Sequence, residues 1–130
     1  MYELRVYYED TDTGGVVYYA NYLRFFERAR TEELRAWGVD IGALMNDGFF
    51  FVVTDVNLKL HSPAKYGDVL RIETKLTKVS AVTLELEYAV CREKMKLVSG
   101  WTRMACVNKE LRPAKFPPDV KEKLLKNFSA

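Results

Sequence analysis

Histidine, cysteine and proline are scarce in this chain of 130 residues, which holds one histidine, two cysteines and four prolines. The two cysteines, Cys91 and Cys106, stand in apolar runs without CxxC spacing, and His61 alone cannot complete a common zinc set. We therefore predict two buried thiols, no bound metal and no other cofactor.

The chain also lacks a large excess of charge of either sign, and it lacks long apolar runs. The 20 basic and 18 acidic residues are interspersed and leave a net charge of +2, so no field that would attract nucleic acid is expected. No apolar run approaches the ~20 residues that span a bilayer, and no basic start followed by an apolar core opens the chain. These absences predict a cytoplasmic protein without a membrane span.

The residues that are present indicate a folded chain. Apolar residues make up 48% of the sequence and charged residues 29%, which is typical of a globular protein and not of a disordered one. A chain of this length is the size of one ordinary domain, so residues 1–130 are predicted to form a single domain.

Hydrophobic periodicity predicts the order of the elements. Residues 2–8 alternate as in a half-buried strand, residues 18–37 follow the helical period, and 41–45 suit a second small helix. Four further strands are expected over residues 49–60, 70–76, 82–88 and 96–108, with a closing helix after Pro117-Pro118. Because the strands are segregated from the long helix, we predict an α+β fold with an antiparallel sheet packed on that helix.

An acidic, glycine-containing loop separates the first strand from the long helix. Asp10 and Asp12 precede Gly14 and Gly15, which let the backbone take positive φ or approach a ligand closely. The first amides of the helix have no partners within it. The loop is therefore predicted to place an acid beside free amides, an arrangement that can bind or react with a polarised carbonyl.

The sequence predicts different roles for the two aspartates. Being two residues apart in extended chain, Asp10 and Asp12 face opposite sides, so they are not expected to share a proton. Asp10 is interpreted as a solvated or loop-bonding residue. For Asp12, an Asx turn of structural purpose and a catalytic carboxylate both remain open on spacing alone.

The residues 8–22, with the pattern D-x-x-G-x-V-x-x-x-x-Y from Asp12 to Tyr22, resemble the acyl-CoA thioesterases of the hotdog fold. The resemblance is closest to the YbgC-like branch, related to 4-hydroxybenzoyl-CoA thioesterase, and continues through residues 25–30, 62–64 and Asp68. It implies a five-stranded antiparallel sheet wrapped around one long central helix. It also implies a homodimer or homotetramer with active sites at the subunit interface.

The resemblance also implies roles for single residues. Asp12 corresponds to the catalytic acid, acting as nucleophile or general base, while helix N-terminal amides near Tyr18 and Tyr19 polarise the carbonyl. Asp12 and Tyr19 are the residues implied to be catalytic, and Tyr19 stands where YbgC-like relatives often carry histidine. The residues implied to bind substrate are Gly15, Val16, Tyr18, Tyr22 and Glu27.

Alternatives stand beside these assignments. Tyr22 could line the acyl pocket or only pack the helix, Glu27 could be simply solvated, and His61 is conceivable as a base although it lies far along the chain. The predicted reaction is hydrolysis of an acyl-CoA, or of an acyl carrier protein thioester, to a free acid and the thiol. The rival functions are a hydroxyacyl-thioester dehydratase and a non-catalytic acyl-CoA binding module.

Overall fold

The computed structural model describes residues 1–128, and these form an α+β structure, as predicted. The strands are β1 (Tyr2–Arg5), β2 (Phe50–Leu60), β3 (Val69–Val79), β4 (Thr83–Arg92) and β5 (Met95–Val107). The α-helices are α1 (Asn21–Ala36), α2 (Ile41–Asn46) and α3 (Pro118–Lys126). A short 3₁₀ turn covers Tyr8–Asp10, so the first strand is shorter than the predicted 2–8.

The five strands form one sheet in the order β1-β3-β4-β5-β2. β1 pairs antiparallel with β3, with Tyr2 opposite Ile72 and Arg5 opposite Val69. The short link between residues 76 and 82 predicts an antiparallel hairpin, and β3 and β4 are neighbours in the sheet. β5, whose apolar residues on both faces predict a central strand or one covered by a partner, lies between β4 and β2. β2 stands at an edge with β5 as its one neighbour in the sheet.

The chain divides into two compact units. The first contains Met1–Glu33, Leu58–Thr74 and Tyr88–Gly100; the second contains Leu34–Asn57, Lys75–Glu87 and the chain from Trp101 on. Helix α1 and strands β2 to β5 each contribute residues to both units. The prediction of one domain over residues 1–130 stays a prediction.

In the first unit, α1 packs on the sheet through aromatic side chains. Phe26 is fully buried and stacks on Tyr88 of β4, with ring centroids 4.3 Å apart and planes 7° from parallel. Its ring also lies against Gly100 of β5 so closely that a Cβ there would meet it at 2.3 Å. The helix and the sheet therefore touch where β5 has no side chain.

The buried stripe of α1 agrees in part with the predicted one. The helical period predicts one face made of Leu23, Phe26, Leu34 and Trp37. Phe26 and Leu34 are buried, whereas Leu23 is exposed. Phe26 shares its face with Tyr22, Phe25 and Ala29, which are buried at the i, i+3, i+4, i+7 spacing.

The second unit has its own buried contacts. Val120 and Leu124 of α3 are buried, and Phe116 packs edge-on against Phe51 of β2 with ring centroids 5.7 Å apart. The helical period predicts one apolar stripe of Val120, Leu124 and Phe128 on the closing helix. Phe128 lies beyond the end of the helix and is exposed. The closing helix is thus held by two apolar residues where three were expected.

The prediction of two buried thiols is correct for one cysteine. Cys106 is fully buried, and burial raises the pKa of its thiol, which keeps the sulfur protonated and unreactive at neutral pH. Cys91 is only half-buried on β4.

Candidate active site

The acidic loop between β1 and α1 closes on itself through backbone hydrogen bonds. The Asp12 amide donates to the Val16 carbonyl at 2.8 Å, and the Gly15 amide donates to the Asp12 carbonyl at 3.1 Å. Gly15 takes a φ of +83°, the left-handed conformation that glycine adopts at little cost. Residues 12–16 therefore form a tight turn with Asp12 at its entry.

The carboxylate of Asp12 forms an Asx turn. Its Oδ1 accepts a hydrogen bond from the Gly14 amide at 2.8 Å, and the residue is exposed. Oδ2 accepts no hydrogen bond from any residue in the described part of the chain. The structural and the catalytic interpretations of Asp12 are therefore compatible, because the turn uses one oxygen and leaves the other accessible.

The amides that precede α1 differ in their availability. The helix begins at Asn21 and not at the predicted residue 18, and the Tyr18 amide donates to the Asp10 carbonyl at 2.9 Å. The Tyr18 amide is therefore unavailable to a substrate, contrary to the sequence prediction. The Tyr19 amide makes no hydrogen bond with any of residues 1–128, which leaves it as a possible donor.

Asp10 is a buried, loop-bonding residue. It is 8% exposed, and its carboxylate accepts hydrogen bonds from the Tyr7 amide at 2.8 Å and from Asn21 Nδ2 at 3.0 Å. Of the two interpretations given above, loop bonding is correct and solvation is wrong.

A pocket of about 210 Å³ opens beside the loop. Its walls are mostly apolar and consist of Val16, Val17, Tyr22, Leu60, His61, Ser62 and Pro63. Two predicted substrate-binding residues, Val16 and Tyr22, therefore meet at one cavity. The other five residues were not assigned to a substrate site from the sequence.

Tyr22 both packs the helix and lines this pocket, so the two alternatives for it are not exclusive. It is 2% exposed, and its hydroxyl oxygen lies 3.4 Å from the Ala64 amide, which donates to it. Burial raises the pKa of Tyr22 above its usual 10.0, so the hydroxyl stays protonated at neutral pH.

His61 lies on the pocket wall. Its Nε2 is 2.9 Å from the hydroxyl oxygen of Ser99, the contact that orients the ring. The sequence offered little to indicate this, because 39 positions separate His61 from Tyr22 and only the fold brings them to one cavity.

The remaining predicted residues are exposed and lie outside the pocket walls. Tyr18 and Tyr19 are 46% and 58% exposed, with ring centroids 4.9 Å apart. Glu27 is exposed on α1, and Gly15 has open space where a Cβ would stand. A role in binding for Gly15, Tyr18 and Glu27 stays a prediction, as does a role in catalysis for Tyr19.

An ion pair holds the loop that supplies the pocket wall. Arg92 donates to Asp68 Oδ2 at 2.7 Å and to the Pro63 carbonyl at 3.4 Å, while the Lys65 amide donates to the same Asp68 oxygen at 2.8 Å. Burial alone would raise the pKa of Asp68, but the Lys65 amide and the Arg92 guanidinium outweigh it and hold that pKa below its usual 3.8.

Asp68→Asn is expected to lower the free energy of unfolding by about 1–3 kcal/mol at neutral pH, because a charge-assisted hydrogen-bond network loses its charge. Since the pKa of Asp68 is lower in the folded protein, its contribution is present above the unfolded-state pKa and is lost as pH falls through the folded-state value. Urea denaturation should therefore show a gap between wild type and variant that narrows below pH 3.8.

The control for this variant is Asp47→Asn, which changes an exposed carboxylate at the end of α2. It should leave the unfolding midpoint unchanged. A wild-type midpoint for Asp68→Asn at neutral pH would show that the ion pair does not stabilise the loop.

Two further features, a metal site and a membrane-spanning helix, are absent from the described residues. Among residues 1–128, no group of three or more histidine, cysteine, aspartate or glutamate side chains is placed to hold a metal ion. No helix within that range is long and apolar enough to cross a membrane.

Known proteins are similar to this chain in sequence and structure. The family profile described as Thioesterase-like superfamily matches residues 6–124. The chain is 40% identical over 122 residues to the acyl-CoA thioesterase YbgC of Haemophilus influenzae, which covers 92% of this chain and 90% of that protein. The chain belongs to the thioesterase-like superfamily.

Two further proteins agree with this membership. The acyl-CoA thioester hydrolase YbgC of Escherichia coli is 36% identical to this thioesterase over 119 residues, with coverage of 90% and 89%. The crystal structure of a probable thioesterase from Bartonella henselae matches with a TM-score of 0.84 and 34% identity, over 89% of this chain and 97% of that one.

Membership confirms the predicted family and fold. The five-stranded antiparallel sheet with its long helix is the hotdog fold of the thioesterases, and this thioesterase is a thioester hydrolase.

Proposed function

We propose that this thioesterase hydrolyses an acyl-CoA to a free acid and coenzyme A, with Asp12 as the catalytic acid and the Tyr19 amide as the donor to the carbonyl oxygen. The observation that carries the proposal is that Asp12 Oδ2 and the Tyr19 N–H have no partner among the described residues. They stand in sequence on either side of Val16 and Val17, which line the pocket.

Two routes use the same groups. In the first, an Asp12 oxygen attacks the thioester carbonyl carbon, the C–S bond breaks, and the thiolate leaves and takes a proton; water then hydrolyses the mixed anhydride. In the second, Asp12 takes a proton from water as the water oxygen attacks the carbonyl, and the proton passes to the departing sulfur. Both routes build negative charge on the carbonyl oxygen, which one backbone N–H such as that of Tyr19 stabilises.

The pocket supports an acyl group as the part of the substrate that it holds. Its walls are mostly apolar, and the protonated Tyr22 hydroxyl adds one polar group. The relatives from Haemophilus influenzae and Escherichia coli are named acyl-CoA thioesterases, which supports coenzyme A as the carrier, with an acyl carrier protein thioester as the alternative. Gly15, Tyr18 and Glu27 belong to the proposal as further substrate contacts.

A homodimer or homotetramer with active sites at the subunit interface is part of the proposal. β2 lies at the sheet edge, and its Val53, Val56 and Leu60 are 43%, 45% and 54% exposed. An exposed edge strand with apolar side chains offers unpaired backbone groups and apolar area to a symmetric partner. The cytoplasmic location also stays a prediction.

The test is thiol release from a panel of acyl-CoAs that varies in chain length and includes aromatic acids. At least one member should release thiol at a rate well above the uncatalysed one, and the active species should have a mass above the 15.1 kDa of one chain by light scattering. Absence of thiol release from every member would end the thioesterase proposal, and an active 15.1 kDa species would end the oligomeric one.

His61 on the pocket wall supports a second candidate reaction, the hydration of an enoyl thioester. In that reaction a histidine and a carboxylate can act as the base and the acid that transfer the two protons. In that reaction water adds across the carbon–carbon double bond and the thioester survives. The same assay, run with an enoyl-CoA and followed by loss of conjugated absorbance, distinguishes the two, because hydration releases no thiol.

A further inference from the structure

Asp10 is one of two polar residues that are buried in the described part of the chain, the other being Thr102. A buried carboxylate is costly unless donors surround it. Asp10 meets this need with one backbone donor, the Tyr7 amide, and one side-chain donor, Asn21 Nδ2. Each carboxylate oxygen thus has one donor, and the two bonds together fix the orientation of the side chain.

The partners of Asp10 lie on both sides of the acidic loop. Asn21 is the first residue of α1, and the Tyr18 amide just before it donates to the Asp10 carbonyl at 2.9 Å. The side-chain bond to Asn21, at 3.0 Å, joins positions that are 11 residues apart. We call the Asp10–Asn21 side-chain pair the clasp.

The clasp encloses every atom that the proposed reaction needs from this loop. Asp12 lies two residues after Asp10, and the Tyr19 amide lies two residues before Asn21. If the clasp opens, the backbone between them can shift while the pocket walls supplied by residues 60–63 keep their place. The distance from the Asp12 carboxylate to the Tyr19 amide then loses one of its restraints, while the backbone bond from the Tyr18 amide to the Asp10 carbonyl remains.

We propose that Asp10 and Asn21 are positioning residues, which hold the Asp12 carboxylate and the Tyr19 amide at the separation that hydrolysis requires. The proposal rests on the proposed function. A displacement of about 1 Å between reacting groups can cost about 10²-fold in rate. Val16 and Val17, the two wall residues between Asp10 and Asn21, are also held from outside the clasp, because the Val17 amide donates to the Ala64 carbonyl at 2.8 Å and Val16 forms a bridge with Lys65. The clasp is therefore expected to act on kcat and to leave KM, which depends on the pocket walls, nearly unchanged.

The test exchanges the two side chains. Asn21→Asp places two carboxylates at the clasp and opens it by repulsion, so kcat for the best substrate of the panel should fall about 10- to 100-fold with KM within about twofold of wild type. Asp10→Asn with Asn21→Asp rebuilds one donor and one acceptor with their order reversed. That double variant should recover kcat to within about threefold of wild type.

Asp10→Asn alone should keep most of its kcat, because the Asn21 amide can rotate and present its oxygen. Asn46→Asp is the matched control, since it makes the same exchange at an exposed position of α2 and should change neither constant. If Asn21→Asp is unfolded at the assay temperature, Asn21→Ala replaces it and should lower kcat by about tenfold.

Wild-type kcat in a folded Asn21→Asp variant would overturn the proposal, as would a folded double variant that fails to recover. A rise in KM with kcat unchanged would also overturn it, because the clasp would then serve binding. These outcomes are separate from failure of the proposed function, which is the absence of thiol release by the wild-type protein.

Discussion

Asp12→Asn should lower kcat/KM for thiol release by about 10²- to 10⁴-fold, the range that a catalytic carboxylate contributes. The substitution separates chemistry from structure. The asparagine oxygen can still accept the hydrogen bond from the Gly14 amide that closes the Asx turn at 2.8 Å. The loop should therefore keep its shape while the charge and the basic oxygen are lost. An unchanged unfolding midpoint would confirm that only chemistry was removed.

Glu9→Gln is the matched control, since Glu9 is an exposed carboxylate three positions before Asp12. It should retain wild-type kcat/KM. Full activity in Asp12→Asn would remove Asp12 from the reaction without removing the thioesterase activity itself.

A single-turnover reaction in ¹⁸O-labelled water, with enzyme in excess, tests the nucleophilic route. Attack by Asp12 makes the mixed anhydride, so water that opens it at the Asp12 carbonyl leaves label in the protein. Action as a general base places the label in the product acid alone, as does opening of the anhydride at the acyl carbonyl. Label in the protein therefore demonstrates the nucleophilic route. Mass spectrometry of the peptide that contains Asp12 reads the difference.

Gly100→Ala should destabilise the protein by at least about 1–3 kcal/mol, as overpacking of a well-packed core does. The added Cβ would stand 2.3 Å from the Cε2 and Cζ atoms of Phe26. Phe26 cannot easily withdraw, because its ring is fully buried and stacked on Tyr88. Urea denaturation at neutral pH measures the change, and a large loss of soluble protein would point the same way.

Phe26→Leu provides the control for this clash. Alone it should be destabilising, since it shortens a buried side chain, but in combination with Gly100→Ala the two costs should be less than additive. A double-mutant cycle in which the costs simply add would show that the new methyl group does not meet Phe26.

The parts of the fold that local pattern determines were predictable. The alternation in β3 and β4 and the helical period of α1 predicted the sheet, the hairpin and the long helix, because one face of each element must be apolar. The acidic loop was equally readable, since Gly15 is placed where the backbone needs a positive φ.

The start of α1 was predicted three residues too early. Tyr18 and Tyr19 continue the aromatic character of the helix, but their carbonyls accept i→i+3 hydrogen bonds from Asn21 and Tyr22 in a turn. The Tyr18 amide is taken by the Asp10 carbonyl, a contact over eight residues that helix periodicity does not contain. Long-range backbone pairing thus decided which amide stays free.

The pocket could be predicted only in part. Val16 and Tyr22 belong to the motif that carried the family resemblance, whereas His61 and Pro63 reach the cavity from the end of β2. A bridge between Val16 and Lys65 brings the two segments together, and no local pattern in either one specifies it.

The contact between Phe26 and Gly100 also defines the alignment of β5. Gly100 is the one residue of Met95–Val107 that lacks a side chain, and Ser99 and Trp101 flank it. A slip of β5 by one position would bring the side chain of Ser99 or Trp101 under the Phe26 ring. It would also turn all the side chains of the strand to the opposite face. Gly100 therefore permits the observed register of β5 and excludes the two registers that are shifted by one residue.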